Sequence, residues 1–191
     1  PATLEDRAAF LDEVRPLRHL PDGLSRALPA LAGATPMDGL RAALSLAAAE
    51  LDLRPVVDLA PPCRRADALR VAAITPTILA ALHRQGRGLE PVDPRDDLAH
   101  AANYLWMLTG EQPLPAAVAA IERYLVATID HGFNASTFTA RIVASTGADV
   151  AAAVVAALAA LGGPLHGGAP SRALDLLDEI GSPGRAEEVV R

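Results

Sequence analysis

Residues 150–163 read VAAAVVAALAALGG, and this stretch decides the class of fold. Alanine, valine and leucine fill every position before the glycine pair, and alanine is the best helix former. A helix that is apolar on every side is buried on every side. The run is shorter than the roughly 20 residues that span a membrane. We therefore predict a core or interface helix over 150–161, and we expect an oligomer rather than a monomer.

Proline marks the beginning of several further predicted helices. Thr35-Pro36 and Asp93-Pro94 each place a capping side chain before a proline at the first helical position, and Gly110 ends the second of these helices. A third helix is predicted from Pro115 to about residue 129. Pro76 interrupts the apolar segment 66–82, which predicts a kink or two helices. No alternating strand pattern persists, so an all-α protein is predicted.

Composition excludes several classes of function. The 191 residues carry a net charge of −6, which argues against a nucleic-acid partner. All 17 basic residues are arginine, so Schiff-base and P-loop lysine chemistry are excluded within these residues. Cys63 is the single cysteine, which favours a reducing compartment, and we expect it to be a small apolar filler.

The two ends and one internal segment are also informative. Residues 1–7 are too charged for a signal peptide. With no membrane-length run, we expect a cytoplasmic protein without a membrane partner. Residues 84–93 are the most linker-like piece, and residues 182–191 predict a turn followed by the start of another helix.

His166 is the first candidate site residue. It lies in LGGPLHGGA, residues 161–169, where four glycines and a proline leave little side-chain bulk. Such a loop lets a ligand approach the backbone and presents the imidazole at a helix junction. A helix predicted from about residue 169 would turn its N-terminus toward the same place, which favours an anion. An ordinary glycine-rich turn explains the glycines but not the histidine among them.

His131 is the second candidate, in DHGFNAST, residues 130–137. The pattern predicts a helix end near Gly132 and a new helix capped by Asn134 or Ser136. A histidine at such a junction can bind a small carboxylate together with free amides of the next helix. The alternative is a C-terminal histidine favoured by the helix dipole.

The other histidines, His19, His83 and His100, are interpreted as surface or satisfied core residues. A hydrolase is disfavoured, because no G-x-S-x-G motif supplies a serine nucleophile. A single cysteine cannot form a cysteine zinc site, and no metal site is predicted.

Two of these stretches together resemble citrate synthase. They are HGFNASTFTARIVASTGAD, residues 131–149, and GPLHGGA, residues 163–169, in the same order and spacing as in that family. TPMDGLR, residues 35–41, and PRDDLAHAANYLWMLTG, residues 94–110, add to the resemblance. The likeness is dense over 130–181 and loose before residue 35.

The resemblance implies an all-α homodimer with a large and a small domain, here incomplete at both ends. Residues 1–181 would belong to the large helical domain, and residues 182–191 would lead into the small one. His166 would be catalytic, stabilising the enol formed from acetyl-CoA, the co-substrate. His131 and Asn134 would bind substrate, with oxaloacetate held by His131. The helix over 150–161 would lie in the dimer interface.

The departures from the family pattern leave three interpretations open. Pro170 stands where members usually carry asparagine, and no Pro-Gly-x-Gly-His motif, proton-abstracting aspartate or carboxylate-binding arginines of the family match within these residues. We therefore expect the 191 residues alone to be inactive. The protein is a citrate synthase, a 2-methylcitrate synthase that uses propionyl-CoA, or a non-catalytic relative that dimerises and binds a partner or a dicarboxylate.

Overall fold

The computed structural model describes residues 3–130 and 132–190. Helices alone make up the regular structure of these residues, without any strand, and the all-α prediction is confirmed. The α-helices are α1 (Leu4–Val14), α2 (Asp22–Ala27), α3 (Pro36–Glu50), α4 (Pro61–Gln85), α5 (His100–Thr109), α6 (Pro115–Ala127), α7 (Ala135–Ser145), α8 (Val150–Leu161), α9 (Ala169–Ile180) and α10 (Ala186–Val190). Short 3-10 turns occupy Arg15–Arg18, Leu28–Leu31, Val56–Asp58 and Pro183–Arg185.

The hydrophobic core lies where α2, α3, α4 and α8 meet. Leu24, Leu44 and Ile78 are fully buried in it. Small residues of the same cluster, such as Ala43 and Ala47, let α3 approach its neighbours closely. The core therefore combines fully buried large side chains with small ones.

Helix α8 has the predicted bounds and packs against α3, α4 and α7 of its own chain. Its burial is less complete than the sequence predicted. Ala151 is buried, Ala159 is exposed, and the residues between them are half-buried. Neighbouring helices of the same chain therefore cover part of α8, and part of its apolar surface remains exposed.

The predicted start of α3 is confirmed. Thr35 is the N-cap, its hydroxyl accepts a hydrogen bond from the amide of Asp38 at 3.2 Å, and Pro36 begins the helix. Helix α6 also begins at Pro115 as predicted, and Gly110 ends α5 with a φ of 77°.

The predicted helix start at Asp93-Pro94 is wrong, because α5 begins six residues later at His100. The buried Arg18 explains the difference: its guanidinium donates to the carbonyl oxygens of Arg95 and Leu98, at 3.1 and 2.9 Å. The side-chain oxygen of Asn103 accepts from the amide of Arg95 at 2.7 Å. These bonds satisfy the backbone of the segment in an irregular conformation.

Two smaller expectations also need correction. Pro76 lies inside α4, which is one helix of 25 residues, so the two-helix alternative is wrong. Buried side chains on both sides of Pro76, including Ile74 and Ile78, favour continuation at about 1.5–3 kcal/mol each, against roughly 3 kcal/mol for an internal proline. Cys63 is exposed and is not a core filler.

The C-terminal turn and helix are present as predicted, in Pro183–Arg185 and α10. Within residues 3–130 and 132–190, no helix combines the length and the apolar character needed to cross a membrane.

Candidate active site at two helix junctions

The loop between α8 and α9 is a compact turn that holds His166. The amide of His166 donates to the carbonyl oxygen of Gly163 at 3.0 Å, and the amide of Gly167 donates to that of Leu161 at 2.8 Å. A β-carbon on Gly167 would lie 2.2 Å from the Leu161 oxygen, so only glycine fits there. Helix α9 begins at Ala169, as predicted, and tolerates Pro170 in its first turn. The predicted helix junction at His166 is confirmed.

The loop between α6 and α7 forms the second junction. Helix α6 ends at Ala127, close to the end predicted at about residue 129 but several residues before the end predicted near Gly132. The carboxylate of Asp130 accepts a hydrogen bond from the amide of Gly132 at 2.7 Å, and Gly132 has a φ of 64°, which favours glycine. His131 lies outside the described residues.

Asn134 caps α7, as one of the two predicted capping residues. Its side-chain oxygen accepts from the amide of Thr137 at 2.9 Å. Ser136, the second predicted capping residue, lies inside the first turn of α7, and its hydroxyl lies 2.8 Å from the same oxygen of Asn134. The cap and the serine are therefore one hydrogen-bonded unit.

Ser136 joins this unit to His166. The Nε2 atom of His166 lies 3.0 Å from the Ser136 hydroxyl oxygen, across 30 residues of sequence, and both residues are half-buried. The two junctions thus form one site from two of the predicted residues, Asn134 and His166. Sequence reasoning named Ser136 only as a possible cap and missed its contact with the histidine.

Apolar residues line the space beside this contact. A cavity of about 320 Å³ lies between α7 and α8, with Ser136 and Leu161 among its lining residues. A larger groove of about 700 Å³ lies between α3 and α8, with Asp38, Arg41 and Asp149 along it, and does not include His166.

An aromatic pair flanks the second junction. Phe133 is 65% exposed and meets Phe138 edge to face at 5.4 Å between ring centroids. The guanidinium of Arg141 lies 5.4 Å from the centre of the Phe133 ring. A cation and an exposed ring therefore lie beside the residues that cap α7.

Two of the remaining histidines lie by the Arg18 segment rather than at this site. His19 lies 3.8 Å from a carboxylate oxygen of Asp96. Desolvation lowers the pKa of His100, and the positive charge of Arg18 lowers it further. His83 is exposed near the end of α4. In the described part of the chain, no group of three or more acidic, histidine or cysteine side chains could hold a metal ion.

The family model described as citrate synthase, C-terminal domain, matches residues 2–191. The chain belongs to the citrate synthase family, which is a family of acyltransferases.

Two curated relatives are similar over most of the chain. It is 42% identical to a citrate synthase of Deinococcus radiodurans, over 98% of this chain and 50% of the relative. It is 45% identical to a 2-methylcitrate synthase of Mycobacterium tuberculosis, over 82% of this chain and 39% of the relative.

Two solved structures share the fold. The citrate synthase of Pyrobaculum aerophilum is 38% identical with a TM-score of 0.84, over 97% of this chain and 48% of that one. A citrate synthase of Thermoplasma acidophilum, solved as a ternary complex with carboxymethyl coenzyme A and oxaloacetate, is 25% identical with a TM-score of 0.84, over 98% and 49%. The chain spans about half the length of these proteins.

Proposed function

We propose that the protein containing these residues is a citrate synthase, which condenses acetyl-CoA with oxaloacetate to give citrate and CoA. The observation that carries the proposal is the hydrogen-bonded chain from Asn134 through Ser136 to His166. It connects the two stretches of sequence that resemble the family motifs. The Thermoplasma relative, solved with a coenzyme A analogue and oxaloacetate, supports this choice of substrates.

His166 is the catalytic residue in this proposal. When the acetyl group loses a proton, negative charge develops on the thioester carbonyl oxygen. A hydrogen-bond donor already placed at that oxygen stabilises the enol, because it needs no reorganisation as the charge forms. The glycines of residues 162–168 leave room for the thioester to approach the ring.

His131 and Asn134 are the proposed substrate-binding residues at the second junction. The N-terminus of α7 favours a negatively charged group, because its first amides point outward and the helix dipole is positive there. Oxaloacetate carries two carboxylates, and His131 precedes this helix by four residues. We propose that oxaloacetate is held between His131 and the start of α7, with no permanently bound cofactor.

We propose that the remaining catalytic and substrate-binding groups lie outside residues 1–191, in the rest of the protein. The family's general base and arginine clamps match no position in residues 1–191. Loss of a general base alone costs about 10²–10⁴-fold in rate. We therefore propose that residues 1–181 form the large helical domain, that residues 182–191 lead toward a small domain, and that a chain of these 191 residues alone has no useful turnover.

The proposed oligomer is a homodimer through α8, since residues 152–158 of this apolar helix are only half-buried in the single chain. Large exposed apolar side chains lie mainly on α6, α7 and α9 and in the loops beside them. They include Tyr124, Val126, Ile129, Phe133, Phe138, Ile142, Leu174 and Leu177. A surface of this kind is covered in most soluble proteins. Concentration-dependent association, measured by sedimentation, is the expected result.

The second candidate function is 2-methylcitrate synthase, which uses propionyl-CoA. The 45% identity to the mycobacterial enzyme of that name favours it over a non-catalytic relative. One additional methylene in an apolar pocket changes specificity by only about 10–200-fold. A direct comparison of rates with acetyl-CoA and propionyl-CoA distinguishes the two candidates.

The test measures oxaloacetate-dependent thiol release from each acyl-CoA by the intact protein. We expect release from at least one of them, with His166→Ala lowering kcat by about 10²–10³-fold, as for removal of one oxyanion donor. The matched control is His83→Ala, at an exposed histidine of α4. Absence of thiol release together with measurable oxaloacetate binding would instead identify a non-catalytic relative.

A further inference from the structure

The direction of each hydrogen bond in the site follows from the number of protons available. The side-chain oxygen of Asn134 is identified as the acceptor, because the backbone amide of Thr137 donates to it at 2.9 Å. The Ser136 hydroxyl oxygen lies 2.8 Å from that same oxygen. Two oxygens at this distance need a proton between them, so Ser136 donates to Asn134.

A serine hydroxyl has a single proton, and Ser136 donates it to the side-chain oxygen of Asn134. The Ser136 oxygen can then only accept from the Nε2 atom of His166, 3.0 Å away. A neutral imidazole carries one proton on one of its two nitrogens. With the proton on Nε2, the other nitrogen, Nδ1, has only a lone pair.

We propose that Asn134 is a positioning residue that acts through Ser136 to place the proton of neutral His166 on Nε2 in the ligand-free protein. The side-chain oxygen of Asn134 thus has two functions: it caps α7, and it holds the serine proton away from the histidine. This assignment of the proton does not depend on any substrate.

Its consequence for catalysis rests on the proposed function. An Nδ1 atom with only a lone pair cannot donate to a thioester carbonyl. For His166 to donate there, Ser136 must turn its proton from Asn134 to Nε2, and the ring must exchange its Nε2 proton for one on Nδ1 through solvent. The number of protons is unchanged, and no bond between heavy atoms forms or breaks. Substrate binding would therefore select the tautomer that the ligand-free protein disfavours.

The test reads the His166 tautomer by nitrogen NMR on intact protein labelled with ¹⁵N-histidine. Spectra are recorded without substrate at about pH 8.5, two units above the ordinary histidine pKa of about 6.5. Protonated and unprotonated ring nitrogens resonate far apart, and a His166→Gln variant identifies the signals. We expect a proton on Nε2 and a bare Nδ1. A proton on Nδ1 would overturn the proposal.

Substitutions at Asn134 test its part in the assignment. Asn134→Gly removes the acceptor but costs the helix cap only a few tenths of a kcal/mol. Ser136 can then donate to Nε2, so the population with a proton on Nδ1 should rise. Asn134→Asp keeps an acceptor oxygen and should keep the proton on Nε2. An unchanged tautomer in Asn134→Gly would contradict the proposal.

The matched control is Asp149, which caps α8 as Asn134 caps α7. Its carboxylate accepts from the amide of Ala152 at 2.9 Å. Asp149→Gly loses the same kind of cap, and the His166 tautomer should not change. An equal change in both glycine variants would show that helix fraying, rather than the asparagine oxygen, moves the proton. The readout needs no substrate, so a protein without citrate synthase activity still gives a result.

Discussion

The core of the molecule and its candidate site are built in opposite ways. Around α3 and α4, leucine and isoleucine side chains are fully buried, and few polar groups take part. Around α7 and α9, polar atoms make the decisive contacts while apolar side chains such as Phe133 and Leu174 are 65% and 64% exposed. The first region buries its apolar side chains within a single chain, so it contributes to the free energy of unfolding of the monomer. The second region holds the hydrogen-bonded unit of Asn134, Ser136 and His166, while its large apolar side chains are exposed.

Removing one large side chain from each region should have the largest and most unequal effects on stability. Leu44→Ala, at a fully buried position, should lower the free energy of unfolding by about 2–5 kcal/mol. Leu174→Ala, at an exposed position of α9, should change it by no more than about 0.5 kcal/mol in the monomer. Urea unfolding at low protein concentration gives both values.

The same two variants test whether a second copy of the chain covers the exposed apolar side chains of α9. If a second copy covers α9, Leu174→Ala weakens association at high protein concentration, whereas Leu44→Ala affects the monomer and dimer alike. Equal losses of monomer stability in the two variants would contradict the division into a core and an uncovered region.

The next largest effect is expected where the core contacts the irregular segment before α5. Arg18→Met keeps an apolar stem but leaves two carbonyl oxygens, of Arg95 and Leu98, without their donor. A fully buried polar group left unsatisfied costs about 1–3 kcal/mol, and each of these part-buried oxygens should cost no more than that. Arg65→Met, which removes an exposed ion pair with Glu13, should leave the free energy of unfolding almost unchanged, because solvent screens exposed charges. A smaller loss for Arg18→Met than for Arg65→Met would remove Arg18 from its proposed role.

The smallest expected effect is the pH dependence caused by His100. Its pKa is lowered in the folded protein, mainly by desolvation and further by Arg18. The unfolded chain therefore binds more protons once the pH falls below about 6.5, and the stability contributed by neutral His100 declines from there until the folded pKa is passed. His100→Gln should remove this part of the pH dependence of urea unfolding midpoints. An unchanged profile in the variant would assign the dependence to other groups.

Local signals predicted the helices well, and tertiary contacts caused the failures. Thr35-Pro36 begins α3 because the cap needs only residues three positions away. Asp93-Pro94 carries the same signal, but Arg18 fixes the segment from about 80 residues earlier in the sequence. The burial of apolar side chains on both sides of Pro76 likewise outweighs a local proline signal.

The individual residues of the candidate site were predictable from the sequence, but the contact between Ser136 and His166 was not. His166 and Asn134 were identified from glycine-rich and capping patterns, and the structure places both at helix junctions. Ser136 resembled any residue of a first helical turn, since its contact with His166 arises only when α7 packs against α8. Sequence periodicity gives the face of a helix, not the partner atom on the next one.

A double-mutant cycle tests whether Ser136 and His166 act as one unit. The measurement is kcat/KM for oxaloacetate-dependent thiol release by the intact protein with Ser136→Ala, His166→Ala and both substitutions. Because Ser136 acts through the histidine, adding Ser136→Ala to His166→Ala should have almost no further effect. If the two losses multiply instead, the serine and the histidine act independently, and the account of this site is wrong.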